Sequence, residues 1–277
     1  MGDWATIDNG KGASVPVNIY APDGDPKAAM LLLPALGVPA RFYRHLAEHL
    51  AAAGIATCLF EQRGHGKSPY RAGRGQHFGL KAFLEDDIPA AISHMQSELP
   101  QTPLYLGGHS LGGHLSSITA GQRDDIAGVV HLACGFPYHG LFGSKQAGQI
   151  KWLCRLLPAL TALVGYFPGD RVGFGGREYR RLMLDWRDWA MGGSYDGPAT
   201  PDAMAAIAGY EGRVLSLAFD RDRLAPDKAV EFSRGCFKNA DVTGRKLGEP
   251  EQGRYVGHFD WARKPDGVIR EIVNWIA

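Results

Sequence analysis

Short apolar runs alternate with segments of helical spacing along most of this chain. Five runs are predicted as strands of a buried sheet, because a near-continuous apolar sequence is typical of a strand covered on both faces. These runs lie at residues 28–33, 55–60, 104–107, 126–134 and 213–219. An alternating run at residues 15–20 is predicted as an edge strand. Strands separated by helices in this rhythm predict right-handed crossovers and a mostly parallel sheet.

Apolar residues at helical spacing predict the helices between these strands. The predicted helices cover residues 42–53, 80–99, 113–120, 227–237 and 266–276. The second is expected to be interrupted at Pro89. A short strand is also predicted near residues 254–256, just before the last helix. The alternation indicates an α/β protein, with ligands bound at the carboxyl ends of the strands.

The rhythm of strands and helices breaks between residues 136 and 201. An amphipathic stretch at residues 150–164 and a second helical stretch at 182–190 replace it. Six apolar residues would give the first helix one face: Trp152, Leu153, Leu156, Leu157, Leu160 and Leu163. Most of them are expected to pack against the rest of the protein, and some to line a pocket. The expected organisation is a core of residues 1–136 and 201–277 that carries a helical cap insertion at residues 137–200.

Composition and charge restrict the function classes. The chain has 277 residues, of which 45% are hydrophobic and 21% are charged, which suits one large domain with an insertion. The formal net charge is +1, so the overall balance does not favour nucleic-acid binding. The sequence has no ligand-spaced cluster typical of a metal site and no phosphate-binding glycine loop. No metal, cofactor or nucleic-acid partner is therefore expected.

The cysteines and the hydropathy pattern bear on the compartment. The four cysteines have no C-x-x-C spacing, and three lie in apolar runs, as is typical of buried thiols in a reducing compartment. Residues 1–6 lack the basic-then-apolar pattern of a signal peptide. No apolar run reaches the roughly 18 residues that a membrane-spanning helix needs. These features predict a cytoplasmic protein without a membrane span and leave the oligomeric state open, a homodimer included.

One motif carries the strongest chemical signal. Gly108-His109-Ser110-Leu111-Gly112 fits Gly-x-Ser-x-Gly and stands between a predicted strand and a predicted helix. Such a sharp turn exposes the serine, and a Cβ at either glycine would collide with the neighbouring strand or helix. Ser110 is thus a candidate nucleophile, and the amide of Leu111 is free to donate to an oxyanion. The alternative is a glycine-rich turn whose serine only caps the helix.

With Gly-His-Ser-Leu-Gly-Gly at residues 108–113, the chain resembles the α/β-hydrolase superfamily. Its loop at residues 61–68 is similar to the Asp-x-Arg-Gly-x-Gly-x-Ser loop of that superfamily. The resemblance implies a mostly parallel sheet flanked by helices with an inserted helical cap, and it points to a lipase- or esterase-like bacterial branch. It also implies an acid after the seventh strand and a histidine after the eighth.

The resemblance assigns two partners to Ser110. Asp222 stands four residues before Pro226, where the superfamily commonly carries its acid, and Asp220 is the fallback. His258, in a Gly-His-Phe sequence before the last helix, matches the base. A base is needed because a serine hydroxyl is a poor nucleophile at neutral pH, and the acid orients that base. Alternatively, both aspartates only cap a turn.

The oxyanion hole needs a second backbone donor beside the amide of Leu111. The superfamily takes it from the loop after the third strand, which here reads Pro-Ala-Leu-Gly at residues 34–37 instead of His-Gly-x. Leu36 is the expected donor and Ala35 the alternative. The departure matters little, because the donor is a backbone N–H.

The predicted function is hydrolysis of a carboxylic ester through an acyl-enzyme, with a small-molecule acyl substrate. The same triad would also serve an acyltransferase, a thioesterase or an amidase or peptidase, and these alternatives stay open. A different class is a non-catalytic, ligand-binding α/β-hydrolase homologue, although such a protein has no need of all three triad residues. A dehalogenase or epoxide hydrolase of this fold is disfavoured, because each needs an aspartate in place of Ser110.

Overall fold

A sheet of eight strands forms the centre of the computed structural model, which describes residues 3–277. The strands of this part of the chain are β1 (Ala5–Asp8), β2 (Ser14–Tyr20), β3 (Ala28–Leu33), β4 (Ile55–Phe60), β5 (Leu104–His109), β6 (Gly128–Leu132), β7 (Tyr166–Pro168), β8 (Arg177–Tyr179), β9 (Arg213–Phe219) and β10 (Asp241–Leu247). The order in the sheet is β1-β2-β4-β3-β5-β6-β9-β10. The pairs β1–β2 and β2–β4 are antiparallel and the other pairs are parallel. This arrangement confirms the predicted α/β-hydrolase fold class.

Helices cover both faces of this sheet. They are α1 (Arg44–Ala52), α2 (Leu80–Ala82), α3 (Ile88–Glu98), α4 (Leu111–Gly121), α5 (Ser144–Val164), α6 (Gly169–Val172), α7 (Arg180–Gly192), α8 (Ala203–Gly209), α9 (Asp227–Gly235), α10 (Glu249–Gln252) and α11 (Asp266–Ile276). A π-helical turn, Phe83–Asp87, joins α2 to α3 without a break. Pro89 lies in the first turn of α3, so the interruption expected there takes the form of a π-helical turn that ends two residues before Pro89.

Strand β3 illustrates how the sheet separates two cores. All six of its residues are buried, and successive side chains of a strand point to opposite faces. The odd-numbered residues join the core that contains residues of α3 and α4. The even-numbered residues join the core that contains residues of α1 and α11. The continuous apolar runs of the sequence therefore correspond to strands buried on both faces.

The two edges of the sheet depart from the sequence prediction. The strand expected near residues 254–256 is wrong, because this segment forms a turn. The eighth strand of the sheet is instead β10, which pairs only with β9. Most residues of β10 are exposed or half-buried, so this edge strand has no apolar run that would reveal it. Strand β1 at the other edge is likewise mostly exposed and was not predicted.

The connection from β6 to β9 leaves the sheet and contains α5 to α8 together with the antiparallel ribbon of β7 and β8. In α5, Leu157 is buried, whereas Trp152, Leu156 and Leu163 are 63%, 56% and 76% exposed. The expectation that most apolar residues of α5 pack inward therefore fails for these three of the six. Neither α5 nor any other helix within residues 3–277 combines the length and apolar character needed to cross a bilayer.

Candidate active site

Ser110 stands at the turn between β5 and α4 with a φ of +52°. Few non-glycine residues adopt this backbone conformation, and it turns the serine side chain away from the sheet. The glycines of the motif are required by space. A Cβ on Gly108 would lie 2.1 Å from the carbonyl carbon of Gly112, and one on Gly112 would lie 2.1 Å from the carbonyl oxygen of Leu33. The strand can meet the helix this closely only with glycine at both positions.

His258 and Asp222 form a buried hydrogen-bonded pair. The Nδ1–H of His258 donates to Oδ2 of Asp222 over 2.8 Å. The other oxygen, Oδ1 of Asp222, accepts the amides of Leu224 and Ala225 at 2.8 and 2.9 Å. The fallback acid, Asp220, has a side chain that is 55% exposed and lies near Lys246 instead. Of the two predicted aspartates, the structure brings only Asp222 to the histidine.

The loop at residues 34–37, named the oxyanion loop for its predicted role, follows β3 and includes an amide that is already engaged. The N–H of Ala35 donates to the hydroxyl of Tyr43 over 3.0 Å. Leu36 and Leu111 line the same cavity as Ser110 and His258. The amide of Ala35, the alternative donor of the sequence prediction, is thus already occupied by a buried partner.

Two buried side chains from the start of the 61–68 loop hold the oxyanion loop in place. The amide Nε2 of Gln62 donates to the carbonyl oxygens of Ala35 and Val38 at 3.0 and 3.3 Å. Glu61 accepts the N–H of Ala40 over 2.9 Å. Burial raises the pKa of the Glu61 carboxyl. The contacts of Gln62 could not be predicted from the sequence, because the motif at residues 61–68 alone gives no signal for them.

His109, next to the serine, is a buried packing residue of the turn. Its Nδ1 lies 2.8 Å from the hydroxyl of Tyr43, and its ring centre lies 4.9 Å from that of His258. Burial, together with the nearby His258, lowers the pKa of His109 well below its ordinary value. The imidazole is therefore neutral at pH 7, and through Tyr43 it connects the oxyanion loop to the turn between β5 and α4.

Four of the five predicted site residues line one cavity of about 410 Å³, namely Leu36, Ser110, Leu111 and His258. Its walls come from the core loops and from α5, α6, α7 and the segment after α6. The residues that line it are Ala35, Leu36, Ser110, Leu111, His114, Gly135, Pro137, Phe142, Gln146, Gln149, Ile150, Leu153, Val172, Gly173, Phe174, Gly175, Trp186, Leu224, His258 and Phe259. None of these lining residues is an aspartate, glutamate, lysine or arginine. The cavity is therefore suited to an uncharged, largely apolar ligand.

Metal ligands do not gather in this cavity. Across the part of the chain that the structure describes, no group of three or more His, Cys, Asp or Glu side chains is arranged to hold a metal ion. The polar side chains that line the cavity are those of Ser110, His114, Gln146, Gln149 and His258.

The sequence also matches the profile of a known protein family. The profile of the family described as serine aminopeptidase, S33 matches residues 24–173, more than half of the chain. The chain belongs to this family. The matched range of the S33-family chain contains the oxyanion loop, Ser110 and α5, while Asp222 and His258 lie beyond it.

Individual relatives of this S33-family chain match it over shorter ranges. It is 30% identical over 103 residues to a monoacylglycerol lipase of Mycolicibacterium smegmatis, covering 37% of this chain and 35% of that protein. It is 28% identical over 134 residues to the monoglyceride lipase of Homo sapiens, covering 47% of this chain and 43% of that protein. The chain thus spans less than half the length of these curated relatives.

A solved structure resembles the S33-family chain over its whole length. A thermostable carboxyl esterase from Bacillus coagulans superimposes with a TM-score of 0.69 at 17% identity, covering 100% of this chain and 97% of the esterase. At this identity the likeness speaks for the fold alone. Together with the family match, it confirms membership of the α/β-hydrolase superfamily.

Proposed function

We propose that this protein is a serine hydrolase that cleaves a carboxylic ester through an acyl-enzyme. The observation that carries the proposal is the buried hydrogen bond between His258 and Asp222, together with the cavity that His258 lines beside Ser110. A protein that only binds a neutral ligand would not need a buried carboxylate hydrogen-bonded to a histidine. Burial of a charge is costly unless the charge is used or paired.

The proposed reaction follows from these positions. Ser110 Oγ attacks the ester carbonyl carbon while His258 Nε2 takes its proton, and Asp222 stabilises the imidazolium through Nδ1–H. The amides of Leu36 and Leu111 donate to the carbonyl oxygen as it becomes negative. His258 then returns the proton to the alcohol oxygen, the alcohol leaves, and a water molecule activated by the same histidine hydrolyses the acyl-enzyme.

The lining of the cavity favours an ester over an N-terminal peptide bond. An aminopeptidase must bind the terminal ammonium of its substrate, and a carboxylate is the usual partner of a desolvated cation. The cavity residues include no carboxylate, and their neutral side chains instead suit an acyl chain. The partial matches to monoacylglycerol lipases agree with a small-molecule ester as substrate.

Two further parts of the proposal concern the architecture and the compartment. Residues 137–200 act as a cap on the core formed by residues 1–136 and 201–277, of which residues 1 and 2 lie outside the described part. Several residues of α5 to α7 line the cavity, which supports this role.

A cytoplasmic location is supported by the four cysteines, all of them free and buried.

The test is steady-state hydrolysis of p-nitrophenyl butyrate, a monoacylglycerol and an aminoacyl p-nitroanilide by the full chain. The wild type should hydrolyse the esters and leave the anilide intact. Ser110→Ala and His258→Ala should lower kcat by about 10⁴-fold or more, and Asp222→Asn by about 10³- to 10⁴-fold.

Asp220→Asn is the matched control, because Asp220 lies two residues away on the same loop without contacting His258. It should keep the wild-type kcat. Faster cleavage of the anilide than of either ester would establish an amidase or peptidase. Equal losses in Asp220→Asn and Asp222→Asn would contradict the assigned acid.

A further inference from the structure

The segment at residues 173–176, Gly-Phe-Gly-Gly, follows α6 and packs against the oxyanion loop. It is called the glycine segment. A Cβ on Gly37 would lie 2.3 Å from the amide nitrogen of Gly176 and 2.5 Å from the carbonyl carbon of Gly175. A Cβ on Gly175 would lie 3.3 Å from Cδ2 of Leu36. The backbones of the two segments therefore touch beside the residue proposed as an oxyanion donor.

One buried carboxylate holds this glycine segment. Glu178 on β8 is completely buried, and its Oε1 accepts the N–H of Gly176 over 2.7 Å. Its Oε2 lies 3.1 Å from Nε2 of His65, which belongs to the 61–68 loop of the core. The ring of His65 packs directly beneath the segment, because a Cβ on Gly176 would lie 2.7 Å from its Cε1. Glu178 thus joins the glycine segment to the core at one point.

The burial of Glu178 favours the arrangement in which the glycine segment lies against the oxyanion loop. A buried carboxylate is tolerated only with hydrogen-bond donors or a cation to compensate it. The Gly176 amide lies two residues from Glu178 and moves with it, so the donor that a displacement would remove is His65. Loss of that donor from a completely buried carboxylate is costly, so the contact favours the position in which the glycine segment lies against the oxyanion loop.

A second buried carboxylate of the same connection lies elsewhere. Asp185 on α7 is also buried, and its Oδ2 accepts the N–H of Leu80 in the core over 3.0 Å. Asp185 does not line the cavity. Both side chains attach the β6–β9 connection to the core, but of the two only Glu178 also binds the glycine segment that packs against the oxyanion loop.

We propose that Glu178 and His65 are positioning residues, which seat the glycine segment on Leu36 and Gly37 and thereby fix the direction of the Leu36 amide. The inference rests on the proposed function. On the core side the loop is held by Gln62 and by the hydroxyl of Tyr43. The glycine segment closes the opposite side, so the loop is confined between two surfaces. Such confinement matters because an oxyanion donor must sit about 2.7–3.1 Å from the developing charge.

The test compares Glu178→Ala with Asp185→Ala in the full chain, using p-nitrophenyl butyrate and an alkyl trifluoromethyl ketone. With the ketone, the serine oxygen adds to the carbonyl carbon, the serine proton passes to the histidine, and the carbonyl oxygen becomes an oxyanion. Glu178→Ala should lower kcat by about 10- to 100-fold, with KM changed far less, and should weaken the ketone by a similar factor. Asp185→Ala should lower the melting temperature but keep the kcat and the ketone affinity of the wild type.

A second pair of variants separates positioning from general damage. His65→Ala should reproduce the loss in kcat, and the Glu178→Ala, His65→Ala double variant should lose less than the product of the two single losses. Should Glu178→Ala not fold, Glu178→Gln takes its place, with a smaller change in the same direction. Unchanged kcat and ketone affinity in a folded Glu178 variant, or equal losses in Asp185→Ala, would overturn the proposal while the wild-type activity stands. A folded wild type that cleaves no ester would instead remove the proposed function, and this inference with it.

Discussion

Three buried histidines couple the stability of the protein to pH. His109, His114 and His131 are all buried, and burial lowers the pKa of each. The pKa of His114 falls to about 3, helped by nearby His131, and that of His131 falls to about 3, helped by Arg234. The folded protein therefore holds these rings neutral, whereas an unfolded chain protonates them below a pH of about 6.5.

Acid should consequently destabilise the fold well above the range in which carboxylates titrate. Because the unfolded state binds more protons below pH ~6.5, the free energy of unfolding falls as the pH drops from there towards about 3. Each histidine contributes up to about 1.4 kcal/mol per pH unit. Urea titrations of the wild type and of His131→Gln at pH 6 and pH 5 would measure this. The variant should show the shallower dependence, by about 1 kcal/mol per pH unit.

His77→Gln is the control for this experiment, because His77 is exposed. It should keep the wild-type dependence on pH. A His131→Gln protein that loses as much stability as the wild type between the two pH values would show that His131 takes up its proton in the folded state.

Helix α5 presents two different faces. Gln149, Ile150 and Leu153 line the cavity, whereas Trp152 and Leu156 are mostly exposed. Side chains four residues apart share one face of a helix, as Gln149 and Leu153 do on the inner face. Trp152 and Leu156 are likewise four residues apart, on the outer face. The inner face of α5 thus forms part of the wall against which the acyl chain of the proposed substrate would lie.

Leu153 should therefore limit the length of the acyl chain that the protein accepts. Leu153→Trp places a larger side chain in the cavity and should lower kcat/KM for a dodecanoyl ester about 10-fold or more relative to the butyryl ester. Leu156→Trp introduces the same change at an exposed position of α5 and should leave the ratio of kcat/KM for the two esters unchanged. The two esters are compared as p-nitrophenyl substrates at equal enzyme concentration. The same ratio in both variants would contradict a role for this wall in chain-length selection.

At the scale of the whole molecule, the interior of the sheet could be predicted and its edges could not. Strand β3 is apolar throughout, and β9 is buried from Val214 to Phe219, because both faces of these strands are covered. Strand β10 pairs on one side only and has a largely exposed sequence, which resembles a loop. The strand wrongly predicted at residues 254–256 took the place of β10, because the apolar pattern was the only guide.

The residues of the candidate site could likewise be predicted only in part from the sequence. Ser110, Asp222 and His258 could be assigned because each stands in a recognisable local sequence, and their order along the chain follows the fold. The contacts of Gln62 and Glu178 could not, because both depend on segments far apart in the sequence, and a glutamine or glutamate alone carries no such signal. Packing, which brings these segments together, is known only once the chain is folded.

The central claim is that Ser110 is the nucleophile of an acyl-transferring triad. The most direct measurement is reaction of the full chain with a fluorophosphonate, followed by mass spectrometry of the proteolytic peptides. We expect one adduct, on the peptide that contains Ser110, and no adduct in His258→Ala, because the serine then lacks its base. An adduct on another serine, or undiminished labelling of Ser110→Ala, would contradict it.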